Sequence, residues 1–81
     1  MAGANRRGID WSGKDLRGIY LRDYDLTDAN LTNANLSSAD LNGANLTGAN
    51  LTGANLTNAD LRDAELRGVD LTGVDFKSFG H

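Results

Sequence analysis

The sequence predicts an all-β solenoid, in which the chain coils around one apolar interior and turns once in every five residues. Two observations predict this fold class. A leucine stands at every fifth position from Leu16 to Leu71, with Trp11 in register before the series and Phe76 after it. The position two residues after each of these apolar residues is always glycine, aspartate, asparagine or serine, which are the residue types that favour turns.

A period of five residues fits neither a helix nor a continuous strand. On an α-helix, each step of five residues rotates the side chain by about 140° beyond a full turn, so the leucines would spiral around the axis. On a continuous strand, an odd period would place successive leucines on opposite faces. We therefore expect the chain to bend once in every unit.

The residue types assign a place to each position of the unit. The leucine follows, by two residues, a small apolar residue that is alanine in every unit from Ala29 to Ala64. Because residues two apart on an extended segment face the same side, both are expected inside. The residue between them is nearly always Asp or Asn, and the residue after leucine, mostly Thr, Ser or Arg, is expected outside. The predicted structural core contains Leu31, Leu36, Leu41, Leu46, Leu51, Leu56, Ala44, Ala49 and Ala54.

The fifth position of the unit is the predicted corner. Glycine tolerates a positive φ there, and Asp, Asn and Ser can hydrogen-bond their own backbone. Corners in one rotational sense stack the coils about 4.8 Å apart through backbone hydrogen bonds. Fourteen units fill residues 9–78, which leaves 1–8 as an N-terminal tail and 79–81 as a C-terminal end.

These units resemble the pentapeptide-repeat family, whose pattern reads A-(D/N)-L-x-x. The pattern stands as Ala-Asn-Leu-Thr-Gly at 44–48 and 49–53, and as Ala-Asp-Leu-Arg-Asp at 59–63. The resemblance covers about 70 of the 81 residues. It implies a right-handed, quadrilateral β-helix with four units per coil, and therefore about three and a half coils in this chain.

The pattern changes at both ends of the repeat. The larger residues at the inward position are Ile9, Lys14, Ile19 and Tyr24 in the first units and Val69, Val74 and Phe79 in the last. A terminal coil has a neighbour on one side only, so we expect these side chains to cover the open ends as caps. Charge is concentrated there too, since Asp40 is the single charged residue in 29–59. Charged ends discourage the addition of another chain, and partner contact at the ends is the alternative.

Composition excludes several classes of protein. The chain has no cysteine, so disulfides and Cys-ligated zinc are excluded. A net charge of −3 argues against direct binding of nucleic acid or anionic membrane. We find no apolar run that could span a membrane and no signal peptide, so a cytoplasmic location is the default expectation.

No motif indicates catalysis. The Asn-x-Ser/Thr triplets follow from the repeat itself, because Asn, Leu and Thr are the commonest residues at three adjacent positions. His81 is the only histidine and stands last, and the serines occupy outward or corner positions, so no oriented nucleophile and base are expected. We predict neither an enzyme nor a bound cofactor.

One side of the solenoid carries the most varied chemistry. If units stack every twenty residues, Asp40 and Asp60 are neighbours above Tyr20. Stacked carboxylates suit a hard cation, but Arg22 and Arg62 share this side and favour a solvated ladder without a metal. The predicted partner-binding residues are Tyr20, Arg22, Asp40, Asp60 and Arg62, with Asp23 and Asp63 at the adjoining corners. A merely solvated face is the alternative.

The leading functional hypothesis is a non-catalytic scaffold or protein-interaction module whose protein partner is unknown. The resemblance implies an alternative, since some members of the family mimic duplex DNA and inhibit or protect type II topoisomerases such as DNA gyrase. A third alternative is a structural repeat fragment of a larger or engineered protein. So few coils lie near the lower limit for a solenoid, so we expect a homodimer or end-to-end association.

Overall fold

The computed structural model describes residues 3–75. Its backbone pairing consists of isolated parallel β-bridges, and each bridge joins a residue to the one twenty positions later. The bridges are Asn5–Asp25, Asp10–Asn30, Asp15–Asn35, Tyr20–Asp40, Asp25–Asn45, Asn30–Asn50, Asn35–Asn55, Asp40–Asp60, Asn45–Glu65, Asn50–Asp70 and Asn55–Asp75. Twenty residues, or four units, therefore make one coil of the stack, and 'the turn above' or 'the turn below' refers to the adjacent coil.

The described range contains neither a helix nor a strand longer than one bridge residue. The extended segment expected in each unit is thus a single residue, because a turn takes up the rest. No part of residues 3–75 is a helix that could cross a membrane.

Each unit ends in a four-residue β-turn of type II. The N–H of Ala34 donates to the carbonyl oxygen of Leu31 at 3.0 Å, across Thr32 and Asn33. Asn33 has a φ of +59°, whereas Thr32 is not among the residues with positive φ. A positive φ at only the third residue is the type II pattern. All predicted corners in the described range share it, including the non-glycine residues Asp23, Asp28, Ser38, Asn58 and Asp63.

The polar residue before each leucine stabilises the β-turn of its own unit through side-chain hydrogen bonds on the outer surface. The Asn45 Oδ1 accepts hydrogen bonds from the backbone N–H of Thr47 at 3.0 Å and from its hydroxyl at 2.6 Å. The same backbone bond recurs at Asp25 and Asn30. Aspartate and asparagine are therefore present because either side chain can close this local turn.

Adjacent turns are joined by three backbone hydrogen bonds per unit. Leu31 and Asn33 donate to the carbonyls of Asn50 and Thr52 in the turn above, both at 2.8 Å. Asn50 donates in return to the carbonyl of Ala29 at 2.9 Å. In each unit, the lower coil thus donates two backbone hydrogen bonds to the coil above and accepts one from it. The two ends of the stack are therefore not equivalent.

The interior is lined by leucine and alanine. Every leucine from Leu21 to Leu56 and every alanine from Ala29 to Ala59 is at most 1% exposed. All nine residues of the predicted core fall in this set: Leu31, Leu36, Leu41, Leu46, Leu51, Leu56, Ala44, Ala49 and Ala54. Alanine suits its place because another turn lies above and below it.

The ends differ from the expectation in two respects. Ile9, Ile19, Tyr24, Val69 and Val74 pack partly buried against the core, as expected of caps. Lys14 is exposed instead, since a charged ammonium group favours contact with water. The leucine series also emerges from the core at the C-terminal end, where Leu66 and Leu71 are 36% and 38% exposed. Phe76 and Phe79 lie outside the described residues.

The segment assigned to an N-terminal tail differs as well. Asn5 bridges to Asp25, and Arg6 and Gly8 donate to the backbone of the next turn at 2.8 Å. Gly8 has the positive φ of a corner, at +69°. Residues 4–8 thus form another unit, which the leucine pattern hides because Arg6 stands where a leucine is expected. The proposed end at 79–81 lies outside the described residues.

Candidate interaction face

The side predicted to bind a partner is assembled by the twenty-residue register. Bridges join Tyr20 to Asp40 and Asp40 to Asp60, so these three residues form one column. Arg22 and Arg62 occupy the outward position two residues after Tyr20 and Asp60. We call these five residues the Tyr20 face. Tyr20 is 65% exposed and is the most exposed large apolar side chain of the described residues.

Two arginine–aspartate pairs hold the Tyr20 face in place. Arg22 donates from Nε to the Asp40 Oδ2 at 2.8 Å, and so reaches from one turn to the next. Arg62 binds Asp60 within its own unit through two bonds, Nε to Oδ1 at 3.0 Å and Nη2 to Oδ2 at 2.8 Å. Bidentate geometry fixes the guanidinium plane as well as its distance from the carboxylate.

These pairs keep both carboxylates ionised. The hydrogen bond from the Arg62 side chain, followed by that from the Arg62 backbone N–H, lowers the pKa of Asp60 to about 2. The Arg22 side chain lowers the pKa of Asp40 below its ordinary value, although the neighbouring Asp60 charge opposes this effect. At neutral pH the face therefore presents alternating fixed charges above an aromatic ring.

The two carboxylates of the Tyr20 face could bind a metal ion only after a rearrangement of their arginine partners. The Asp40 and Asp60 carboxylates are each occupied by an arginine. Within residues 3–75 no group of three or more His, Cys, Asp or Glu side chains could hold a metal ion. A hard cation would have to displace the guanidinium groups before it could bind these oxygens.

The corners beside the Tyr20 face alternate in a way that the sequence analysis missed. A Cβ atom added to Gly43 would meet the Oδ1 of Asp23 from the turn below. The same relation joins Gly48 to Asp28 and Gly53 to Asn33. A side chain at one corner folds over the next corner, where glycine provides the space. Asp23 is thus occupied with packing at the edge of the face.

No catalytic arrangement occurs among the described residues. Ser12 donates its hydroxyl to Asp10 at 2.8 Å, and this hydrogen bond lowers the pKa of Asp10, which makes the carboxylate a weak base for activating the hydroxyl. The only histidine, His81, lies outside the described residues, as does Ser78. A surface depression lies on the preceding side of the stack, lined by Asp15, Arg17, Gly18, Ser37 and Ser38.

Other charged pairs repeat the geometry of the Tyr20 face without its aromatic ring. Arg17 binds Asp15 through two bonds of 2.8 Å, in the way that Arg62 binds Asp60. Arg7 approaches Asp25 in the next turn at 3.7 Å, in the register of Arg22 and Asp40. Sequence reasoning alone would find these pairs from spacings of two and eighteen residues.

Comparisons with known proteins agree with the repeat and its fold. A family profile described as pentapeptide repeats matches the chain in 8 copies, over residues 1–37, 15–48 and 39–77. The crystal structure of the pentapeptide-repeat protein Rfr23 from the cyanobacterium Cyanothece 51142 is similar, with 38% identity and a TM-score of 0.80. That match covers 99% of this chain and 58% of Rfr23.

A second similar structure is HetL, a pentapeptide-repeat protein involved in the regulation of heterocyst differentiation in the cyanobacterium Nostoc sp. strain PCC 7120. It is 33% identical, with a TM-score of 0.50, over 99% of this chain and 46% of HetL. The chain thus spans about half the length of these two relatives. No curated protein gave a significant match.

Proposed function

This chain belongs to the pentapeptide-repeat family, and from that premise we propose that it is a non-catalytic scaffold that binds a protein partner through the Tyr20 face. One observation carries the proposal. A tyrosine that is 65% exposed stands at the base of a column whose next two bridge residues are carboxylates, each held by an arginine. Tyrosine and arginine are, with tryptophan, the side chains enriched among the residues that contribute most to protein–protein binding.

Rigidity supports the same proposal. Backbone hydrogen bonds hold the Tyr20 face to the adjacent coils. The N–H of Asp40 donates to the carbonyl oxygen of Ile19 at 2.9 Å, and the N–H of Leu41 donates to that of Asp60 at 2.8 Å. The ion pairs then restrict the two arginine side chains. A surface that is already ordered loses little conformational entropy on binding, and this favours affinity.

The geometry also suggests the chemistry of the partner. Arg22 binds Asp40 through Nε alone among the described residues, so its two Nη groups can donate elsewhere. The ring of Tyr20 offers an apolar surface and a hydroxyl group. We therefore expect the partner to present a carboxylate or backbone carbonyl to Arg22, beside an apolar or aromatic group for Tyr20.

A binding experiment with matched variants tests this proposal. Wild-type protein, the double variant Y20S/R22Q and the control R17Q are immobilised, and the proteins that each retains from an extract of the source organism are quantified by mass spectrometry. Arg17 is an exposed arginine paired to an aspartate, as Arg22 is, but it lies on another side. We expect a partner that binds wild type and R17Q and is lost with Y20S/R22Q. Equal binding to all three proteins would contradict the proposal.

For the finer geometry, we propose that the described units, from residue 4 to residue 75, form a right-handed, four-sided β-helix of about three and a half coils. The twenty-residue register and the likeness to Rfr23 support it. A crystal structure would test the handedness, and a left-handed coil would overturn it.

Charge pairing weighs against the topoisomerase alternative. DNA mimicry needs a long and regularly acidic surface, but the carboxylates of Asp15, Asp40 and Asp60 are each neutralised by an arginine. A gyrase supercoiling assay distinguishes the two functions, because inhibition at stoichiometric protein would favour the mimic. A structural role as part of a larger protein also stays a proposal, and persistence of all binding after the Y20S/R22Q change would favour it.

A further inference from the structure

The two ends of the stack leave different backbone groups unpaired. This follows from the direction of the stack, in which each lower unit donates two hydrogen bonds and receives one. In the last described turn, the N–H groups without an acceptor in residues 3–75 include those of Leu66, Gly68, Leu71 and Gly73. In the first turn, the carbonyl groups without a donor in that range include those of Asp10, Ser12, Asp15 and Arg17. A donor-rich end and an acceptor-rich end therefore complement each other.

Charge and apolar surface follow the same polarity. Residues 5–24 carry five basic and three acidic side chains, a net charge of +2, whereas residues 56–75 carry two basic and five acidic ones, a net charge of −3. Leu66 and Leu71 expose more than a third of their surface at the acidic end. Ile9 and Trp11 are only partly buried at the basic end. Apolar surfaces would thus meet if one copy stacked on another. The +2 charge of residues 5–24 is equal to the charge of Arg6 and Lys14, since the other three basic side chains are matched in number by the three acidic ones.

Two residues at the basic end do not fit such a contact. Arg6 takes the place of a leucine, and its Nη1 donates to the carbonyl oxygen of Asn5 at 3.1 Å, on the lower edge of the stack. Lys14 takes the place of an inward alanine and is exposed. In the twenty-residue register, a second copy stacked here would bury Arg6 against Leu66 and Lys14 against Val74, and neither apolar side chain offers a counter-ion. Burial of an unpaired cation is strongly unfavourable.

We propose that the C-terminal end of the stack matches the N-terminal end of a second copy of this chain, and that Arg6 and Lys14 block this head-to-tail contact. A head-to-tail contact uses different surfaces on the two copies, so it does not close and would grow into a filament. The two cations prevent this growth at one end, in the way that charged residues protect an open sheet edge.

The test replaces both cations with the residues of the interior repeat. The variant R6L/K14A restores leucine and alanine at their places, so it has the interior pattern and is expected to fold. The control R7T/R17S removes the same positive charge from two outward positions of the same turn. Sedimentation velocity over a hundredfold range of concentration measures the mass of each protein.

We expect wild type and R7T/R17S to keep a mass independent of concentration, so this proposal replaces the end-to-end association expected from the small number of coils. We expect R6L/K14A to form species that lengthen with concentration. Adding L71K to R6L/K14A should abolish these species, because it places a cation at the other end. Wild-type protein mixed with R6L/K14A should shorten them, because its N-terminal end cannot be extended.

Three results would overturn the proposal. In the first, folded R6L/K14A keeps the mass of wild type. In the second, R7T/R17S assembles as readily, which would show that assembly depends on net charge and not on the positions of Arg6 and Lys14. In the third, R6L/K14A assembles just as well with L71K, which would show that the C-terminal end takes no part.

Discussion

Truncation of one buried leucine provides a quantitative test of the stack. Leu46 is 0% exposed in the central part of the core, whereas Leu66, one turn above it in the same column, is 36% exposed. The change Leu46→Ala removes three carbon atoms, which at about 0.8 kcal/mol each contribute about 2.4 kcal/mol of transfer free energy. The cavity left between two closed turns raises the expected loss of unfolding free energy to about 3–5 kcal/mol.

Leu66→Ala is the matched control, since it makes the same chemical change at the same position of the unit. About two thirds of the Leu66 side chain is removed from water, so the transfer free energy falls to about 1.5 kcal/mol. Its open side leaves no enclosed cavity. The free energy of unfolding is measured by urea titration followed by circular dichroism, with the slope m held common to the variants. Equal losses for the two variants, or a loss below about 1 kcal/mol for Leu46→Ala, would refute the reasoning.

Three further results follow from the same structure. Ala49→Leu should destabilise the fold by about 1–3 kcal/mol or more through overpacking between adjacent coils. Val69→Leu, at the end of the same column, should change the free energy of unfolding by less than about 1 kcal/mol. Similar urea midpoints for these two variants would contradict this expectation. Ser38 has a φ of +60°, so Ser38→Gly should raise the unfolding free energy by about 0.5–1 kcal/mol, and a lower urea midpoint would count against the turn assignment. Asp60 should titrate near pH 2 in a carbon-13 NMR titration and at a higher pH in Arg62→Gln, although still below the ordinary 3.8 because the backbone N–H of residue 62 and the charge of Arg22 remain. Because the folded pKa is the lower one, the pair stabilises the fold above about pH 4 and loses this effect towards pH 2. An unchanged pKa in Arg62→Gln would exclude the Arg62 side chain as its cause.

The leucine spacing was sufficient to predict the interior and the corners. A single residue type at a five-residue interval excludes helix and strand, and a turn former in each unit fixes where the chain bends. Leu31 and Ala44, for example, are buried as expected, because a side chain at either of these two positions of the unit faces the interior of the stack. The column that joins Tyr20, Asp40 and Asp60 also followed, once four units per turn were inferred from the family resemblance.

Other features depend on contacts that the leucine pattern does not contain. Arg6 hid the first described unit, because a pattern search for leucine stops at a cation even when the backbone continues to pair. Lys14 was expected to act as a cap from its size, but a charged group stays in water. The exposure of Leu66 and Leu71 depends on how many turns lie above them, and an identical leucine in the centre is fully buried.

The candidate site was predicted in its location but not in its bonding. Sequence placed Arg22, Asp40 and Arg62 on one side, and the structure adds which aspartate each arginine binds. Arg22 reaches to the next turn while Arg62 stays in its own unit, because Tyr20 offers no carboxylate to Arg22. The choice depends on whether the bridge residue two positions before the arginine is a carboxylate, and the leucine period does not show this although the spacings of two and eighteen residues do.

The central claim is that residues twenty apart are hydrogen-bonded neighbours around one interior. Scalar couplings through hydrogen bonds, measured by NMR on uniformly labelled protein, test this register directly. We expect a coupling between the Leu31 nitrogen and the Asn50 carbonyl carbon, and another between the Asn50 nitrogen and the Ala29 carbonyl carbon, since these bonds are 2.8 and 2.9 Å long. Couplings to carbonyls four residues earlier, or at an offset of fifteen or twenty-five residues, would contradict the account.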